Sequence, residues 1–144
     1  MSELPVMVVI DKKIQYVLVS ACLLDEPCRW HGRRAGYSSF VKRYCMDNPD
    51  VVLIPVCPEL MGGLSVPRQP CKRRKQRVWE TCCNKSNRKN VTGIERTDEF
   101  MAGAREVLRI ARCNNCSLAI LCKWSPSCDA TGLTGKLLFG NGIR

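Results

Sequence analysis

Residues 16–22, Tyr-Val-Leu-Val-Ser-Ala-Cys, form an apolar run rich in β-branched side chains that ends in small residues and a cysteine. This pattern predicts a buried strand that leads into a loop. Residues 51–57, Val-Val-Leu-Ile-Pro-Val-Cys, repeat the pattern, and Pro55 marks the end of that strand. Residues 118–121, Leu-Ala-Ile-Leu, predict a third buried strand, and the loop after it contains Cys122 and Cys128.

Helical patterns separate these strands. Ser38 or Ser39 offers an N-cap for a short helix that ends at Asn48-Pro49. Thr97 offers a capping hydroxyl for a second helix, whose apolar stripe ends at Asn114-Asn115. The order strand, helix, strand, long loop, helix, strand predicts right-handed crossovers and a parallel sheet. We therefore expect one α/β domain over residues 1–144, with three layers, a mostly parallel sheet and helices on both faces.

The composition narrows the class of protein. The chain has 144 residues, 45% of them hydrophobic, which is typical of one compact domain and excludes a disordered or low-complexity chain. No apolar run approaches the roughly 20 residues of a membrane span, and the N-terminus lacks a signal-peptide pattern, so we expect a cytoplasmic protein. Eleven cysteines in a reducing compartment favour metal or cluster ligands over a disulfide framework.

The predicted topology brings three of the cysteines close together. Parallel sheets place ligand sites at the carboxyl ends of their strands, so Cys22, Cys57 and Cys128 should meet at one crevice. Three thiolates suit a zinc ion with an open position or an iron–sulfur cluster with one iron free. Alternatively, these cysteines are small residues that fit tight turns. A zinc site built on Cys113-Asn114-Asn115-Cys116 with the downstream cysteines is another, weaker possibility, since no second such pair is present.

Polar residues beside these cysteines could carry chemistry. Glu59 follows Cys57 by two positions and could act as a general acid or base, or could simply pair with Arg68. Ser125 and Ser127 could donate hydrogen bonds to a bound heterocycle, although serines in such turns are often caps.

Several motifs together resemble one known family. They are residues 20–24 (SACLL) with Pro27-Cys28-Arg29, residues 55–59 (PVCPE) with Gly62-Gly63-Leu64 and Pro67-Arg68, Val91-Thr92 with Phe100 and Gly103-Ala104, and residues 125–128 (SPSC). In this order, over about residues 16–142, the sequence resembles the thiouracil desulfidases, formerly a domain of unknown function.

The resemblance implies an α/β fold and a [4Fe-4S] cluster held by only three cysteines, which would be Cys22, Cys57 and Cys128. It implies removal of sulfur from thiolated uracils without net redox: the open iron takes the thiocarbonyl sulfur, water replaces it, and hydrosulfide leaves. Glu59 would transfer protons, and Ser125 or Ser127 would contact the substrate. Zinc remains the alternative metal, and the oligomeric state stays open.

The sequence departs from the family pattern in three places. Asp25 and Asp129 stand where glycine is usual, and Trp30-His31 replaces a Tyr-Asp pair. An aspartate in place of glycine must either adopt a left-handed backbone or change it. Substrate preference is therefore the property that the resemblance leaves open.

Residues 66–96 form a basic segment in which we expect mostly loop, with one short strand or helix around Val78 and Trp79. Nine Lys or Arg lie between Arg68 and Lys89 against one acid, Glu80. Such a patch attracts the phosphate backbone of RNA, which suggests thiouridine in tRNA as a second substrate, or a non-catalytic zinc protein that binds nucleic acid. A solvated loop is the simpler alternative. The candidate RNA contacts are Arg68, Lys72, Arg73, Arg74, Lys75 and Arg77.

Overall fold

The computed structural model describes residues 13–81 and 91–144. Within them the chain forms strand β1 (Gln15–Ser20), helix α1 (Ser39–Asp47), strand β2 (Val51–Val56) and the short helix α2 (Pro58–Met61). Strands β3 (Cys71–Arg74), β4 (Arg77–Thr81) and β5 (Val91–Glu95) follow, then helix α3 (Thr97–Cys113), strand β6 (Ala119–Ile120) and helix α4 (Leu133–Gly140). A 3-10 turn, Ala21–Leu23, directly follows β1.

The first sheet confirms the predicted parallel α/β core. Its order is β2-β1-β6, and β1 pairs in parallel with both neighbours. Val17, Leu18 and Val19 in β1 are all 0% exposed, so both faces of the central strand are covered. Because all three strands run the same way, their carboxyl ends open at one edge of the sheet.

The main core lies between this sheet and two helices. Leu18 and Val56 of the sheet pack with apolar residues of α3 and α4. The α3 stripe predicted from the sequence supplies this face, since Ala104, Val107 and Ala111 are 0% exposed. Helix α3 is therefore the support on which the sheet, α2 and α4 rest.

Helix α2 lies unusually close to α3. An added Cβ on Gly103 would lie 1.8 Å from the carbonyl oxygen of Pro58, and one on Gly62 would lie 1.9 Å from that of Glu99. Only glycine on both sides permits this backbone contact. The contact fixes α2, and with it the residues that follow β2.

The basic segment contains more strand than predicted: the short element expected around Val78 and Trp79 is β4, whereas β3 and β5 were expected to be loop. Strands β3, β4 and β5 form a second, antiparallel sheet, in which Lys72 pairs with Trp79 and Arg73 with Val78. In β3 and β4, exposed cations on one face alternate with less exposed residues such as Val78 on the other. The sequence does not show this alternation clearly, because so many of the residues are Lys or Arg. Lys75 makes the turn between β3 and β4 with φ of +54°.

Two helix ends can be compared with the prediction. Ser38 caps α1 as expected, because its hydroxyl accepts a hydrogen bond from the Val41 N–H at 3.3 Å. The prediction for Thr97 was wrong: the N-cap residue of α3 is Arg96, whose side chain makes no capping hydrogen bond to the helix. The Thr97 hydroxyl instead accepts a hydrogen bond from the Val78 N–H at 2.9 Å, which joins α3 to β4.

Candidate active site

A cavity of about 360 Å³ lies at the carboxyl ends of the parallel strands. The structure brings the three predicted cysteines to it: Cys22 lies in the turn after β1, Cys57 follows β2, and Cys128 comes from the loop after β6. It also brings Cys28 and Cys122, which form one buried cluster with Cys22 and Cys128, against which Cys57 packs. Glu59, Arg68, Ser125 and Ser127 line the same cavity.

The thiols interact with one another. A hydrogen bond with Cys122, then one with Cys28, lowers the pKa of the Cys22 thiol. A hydrogen bond with Cys28 lowers the pKa of Cys57 to about 7. The pKa values of Cys28 and Cys122 are raised by these same hydrogen bonds. The Arg29 guanidinium donates a hydrogen bond to the Cys122 sulfur at 3.2 Å, which adds a positive charge beside this group of thiols.

Cys128 has a different environment. Burial raises the pKa of this thiol to about 11. The hydroxyls of Ser20 and Ser127 both hydrogen bond to its sulfur, that of Ser127 at 3.7 Å. Ser20 also accepts a hydrogen bond from the Cys122 N–H at 2.9 Å, so one buried hydroxyl links β1 to both later cysteines.

Glu59 sits at the base of the cavity in a network of charged and polar groups. One carboxylate oxygen, Oε2, accepts a hydrogen bond from the Arg68 guanidinium. The other, Oε1, accepts one from the Ser127 hydroxyl at 3.4 Å. The side chains of Glu59 and Arg68 are 14% and 7% exposed, so the ion pair is shielded from bulk water. Glu59 thus pairs with Arg68 and lines the cysteine cavity, and its role as a general acid or base stays a prediction.

The two predicted serines do different work. The Ser125 hydroxyl accepts hydrogen bonds from the N–H groups of Ser127 and Cys128, at 3.3 and 3.1 Å, and so caps the turn that carries them. Ser127 is 1% exposed and directs its hydroxyl to Glu59. The geometry thus gives Ser125 a structural role and gives Ser127 a place beside the candidate acid or base.

The unusual aspartates are accommodated without disrupting the cavity. Asp25 adopts φ of +64° and its side chain accepts a hydrogen bond from the Gly36 N–H at 2.9 Å. Asp129 accepts hydrogen bonds from the N–H groups of Trp124 and Thr131, at 2.7 and 3.2 Å. These bonds, that from Trp124 first, lower the pKa of Asp129. Asp129 therefore closes the loop that holds Cys128.

The alternative zinc site around Cys113 and Cys116 is not formed. Cys113 is exposed at the end of α3, whereas Cys116 is buried in the core with Leu18 and Leu138. Cys122 and Cys128 belong to the separate cysteine cluster. Across residues 13–81 and 91–144, no three His, Cys, Asp or Glu side chains converge as the ligands of a single metal ion.

The basic residues predicted to contact RNA differ in their exposure to solvent. Arg68 is a correction: its side chain is buried against Glu59, so it does not belong to an exposed cationic surface. Lys72 and Arg73 line a second cavity of about 510 Å³ together with Lys123 and Trp124. This cavity adjoins the first, with which it shares five lining residues: Cys71, Lys123, Trp124, Ser125 and Pro126. Lys72, Arg74, Lys75 and Arg77 are exposed along the β3–β4 hairpin, where Arg77 also forms an ion pair with Glu95.

The parallel sheet thus carries, at its strand ends, a candidate active site lined by cysteines and by the Glu59–Arg68 ion pair. The sequence profile of the 2-thiouracil desulfurase family matches residues 17–142, and the chain belongs to that family. It is thus an enzyme of the desulfidase class.

Two known proteins are similar to this chain over most of its length. It is 31% identical over 132 residues to the uncharacterized protein YbbK of Bacillus subtilis (strain 168), covering 88% of this chain and 85% of that protein. The solved structure of the [4Fe-4S]-dependent thiouracil desulfidase TudS (DUF523Vcz) superposes with a TM-score of 0.72 at 28% identity, covering 90% of this chain and 87% of that one. In the parts of this chain that the structure describes, no helix is long and apolar enough to cross a membrane.

Proposed function

We propose that this protein hydrolyses the C=S bond of thiolated pyrimidines of the 2- or 4-thiouracil type, using a [4Fe-4S] cluster held by Cys22, Cys57 and Cys128. Thiouracil and water give uracil and hydrogen sulfide, which leaves as hydrosulfide, without net oxidation or reduction. The observation that carries the proposal is the meeting of these three cysteines, from distant segments, with the Glu59 carboxylate in one cavity.

The chemistry of the donors fits an iron–sulfur cluster. Soft thiolates are the ligands that such clusters take, and the five cysteines of the buried cluster in this cavity offer sulfur. The similarity to a [4Fe-4S]-dependent thiouracil desulfidase favours a cluster over zinc. Cys22 and Cys57, with lowered thiol pKa values, are suited to bind as thiolates.

The surrounding residues supply the proton transfers. When bound, the cluster would supply a thiophilic Lewis acid that polarises the C=S bond. Glu59 accepts a proton from the water whose oxygen replaces sulfur on the ring carbon. Ser127 donates to Oε1 of Glu59 and thereby sets the direction of the carboxylate. The side chains of Glu59 and Arg68 are largely buried, so bulk water is excluded and the electrostatic attraction between them is stronger than in water.

The test is to purify the protein without oxygen and to measure iron, acid-labile sulfide and zinc, followed by release of sulfide from 2- and 4-thiouracil. We expect about four irons per chain, a broad brown absorption band and stoichiometric uracil and sulfide. Cys22→Ser, Cys57→Ser and Cys128→Ser should each lose iron, whereas Cys113→Ser, an exposed cysteine outside the cavity, should keep it. Zinc without iron would overturn the proposal in favour of a non-catalytic zinc protein.

A second candidate substrate is thiouridine within tRNA. The observation that favours it is the second cavity, where the 91% exposed ring of Trp124 stands beside Lys72 and Arg73 next to the cysteine cavity. Exposed aromatic rings can stack on bases, and cations bind phosphates. Lys72→Glu should weaken binding of tRNA and reduce its salt dependence, while Arg43→Glu on α1 makes the same charge change away from both cavities. Equal effects of the two variants would indicate general charge attraction only.

A further inference from the structure

We infer that Arg68 is the positioning residue of this active site, which fixes the Glu59 carboxylate so that one of its oxygens stays directed at Ser127. The inference rests on the proposed function of Glu59 as the proton-transfer group. Arg68 itself is placed to act through that carboxylate.

The contacts of Arg68 tie three segments together. Its guanidinium donates to Oε2 of Glu59 on α2 and to the carbonyl oxygen of Cys28 at 2.9 Å. A further nitrogen donates to the carbonyl oxygen of Ser65 at 3.1 Å, within its own loop. The Arg68 backbone N–H donates to the carbonyl oxygen of Trp30 at 2.8 Å, which anchors this loop to the segment after β1. A planar group with several fixed donors can satisfy these acceptors at once, whereas an ammonium group is a single point charge.

This arrangement uses the two carboxylate oxygens of Glu59 differently. Because Arg68 occupies Oε2, the carboxylate cannot rotate freely, and Oε1 remains on the side of Ser127 and the cysteines. The Ser127 oxygen also lies 3.7 Å from the Cys128 sulfur. A chain of contacts therefore runs from Arg68 through Glu59 and Ser127 to Cys128.

The orientation matters because proton transfer depends steeply on geometry. A displacement of about 1 Å in a reacting group costs on the order of 10²-fold in rate. Without Arg68, the carboxylate of Glu59 keeps, among the residues that the structure describes, only the 3.4 Å bond from Ser127, and it gains space in which to turn. Arg68→Ala should therefore lower kcat on the order of 10²-fold and leave KM within about threefold. Arg68→Lys, which keeps the charge but not the fork of donors, should retain an intermediate kcat.

A double-mutant cycle with Glu59→Gln separates positioning from a general structural role. If Arg68 acts through Glu59, then Arg68→Ala adds little once the carboxylate is gone, and the double variant turns over within about threefold of Glu59→Gln alone. Guanidinium ion should partly restore kcat in Arg68→Ala but not in the double variant. A drop in kcat of equal size in both backgrounds would overturn the inference, because it would show that Arg68 acts independently of Glu59.

A matched control is available in Arg96. Its guanidinium pairs with Glu80 at 2.8 Å beside the neighbouring cavity and is not among the residues that line the cysteine cavity. Arg96→Ala removes an arginine that pairs with Glu80 and Glu99 outside the cysteine cavity, and kcat should stay near that of the unchanged protein. Iron content and the absorption spectrum should match in all variants, since none removes a thiol.

A second readout does not depend on activity. A water-soluble carbodiimide with an amine labels accessible carboxyl groups, and peptide mass spectrometry locates the label at Glu59. We expect little labelling of Glu59 in the unchanged protein and clear labelling in Arg68→Ala, with Arg96→Ala as the control. If the protein lacked a cluster and released no sulfide, yet labelling still depended on Arg68, the proposed function would fail and the positioning would stand. Equal labelling in every variant would overturn the positioning.

Discussion

The contact between α2 and α3 can be tested with one methyl group. Gly103→Ala would place a Cβ 1.8 Å from the Pro58 carbonyl oxygen, where real Cβ contacts essentially never fall below 3.0 Å. Helix α2 must therefore move by about 1.2 Å or more, since α3 is held by the core. Cys57 is the N-cap of α2 and Glu59 lies within it, so both would move with the helix.

The magnitude follows from the size of this displacement. Overpacking of this kind costs about 1–3 kcal/mol of the free energy of unfolding. A shift of about 1 Å at a reacting group costs on the order of 10²-fold in rate, so turnover should suffer more than stability. Urea unfolding measures the first quantity, and sulfide release by the cluster-loaded protein measures the second.

Gly140→Ala is the matched control for this prediction. Its added Cβ would meet no atom within 4 Å, and the residue is exposed at the end of α4. It should be neutral or stabilising by about 0.4–1 kcal/mol, with unchanged turnover. If Gly103→Ala matched Gly140→Ala in both measurements, the claim that close backbone contact positions α2 would be refuted.

Three further predictions concern the supports of the site. Asp129→Ala should lower the free energy of unfolding at pH 7. Because the pKa of Asp129 is depressed below its ordinary 3.8, the stabilisation by its carboxylate is present above about pH 4 and is lost as acid protonates that group in the folded protein. A stability difference that persists undiminished at low pH would contradict this role. Ser20→Ala should leave the Cys122 N–H without its acceptor and cost about 1–3 kcal/mol by urea unfolding, so an unchanged midpoint would argue against this bond. Thr97→Val should cost about 1 kcal/mol by loss of the bond from the Val78 N–H, whereas Thr97→Ser should retain most of it, and equal loss in both would point to packing instead.

Much of the parallel core follows from local sequence patterns. The runs that end in Cys22 and Cys57 have the apolar, β-branched character of buried strands, and the structure gives β1 and β2 nearly those bounds. The rule that parallel strands open at one edge then brings Cys22, Cys57 and Cys128 together without further information. Helix α1 was also predictable, because Ser38 supplies a cap at the right place.

Other elements depend on tertiary contacts that local patterns do not contain. Helix α4 has Gly135 in its interior, which disfavours a helix, but an added Cβ there would lie 2.1 Å from the Asp129 carbonyl oxygen. The glycine therefore serves a close approach between α4 and the loop of Cys128. The sequence predicts Thr97 as an N-cap, but its hydroxyl accepts a hydrogen bond from the Val78 N–H of β4, which lies 19 positions earlier in the chain.

The candidate site was partly predictable for the same reason. Cys28 and Cys122 lie beside Cys22, but no spacing rule connects residues 28 and 122. The possible pairing of Glu59 with Arg68 was visible as a charge match, whereas the grip of Arg68 on the Cys28 carbonyl was not. A signal that could have identified Cys122 is its position directly after the third apolar run, equivalent to the cysteines that follow the other two.

The wide spacing of the cavity cysteines imposes an order of events on the making of this protein. Cys22 and Cys128 are separated by more than one hundred residues, and their meeting requires β1, β2 and the loop after β6 to be in place. The chain must therefore be synthesised at least through Cys128 and folded before the proposed cluster can be inserted. A chain that ends before Cys128 would lack one of the three ligands proposed for the cluster, even though Cys22 and Cys57 were already present.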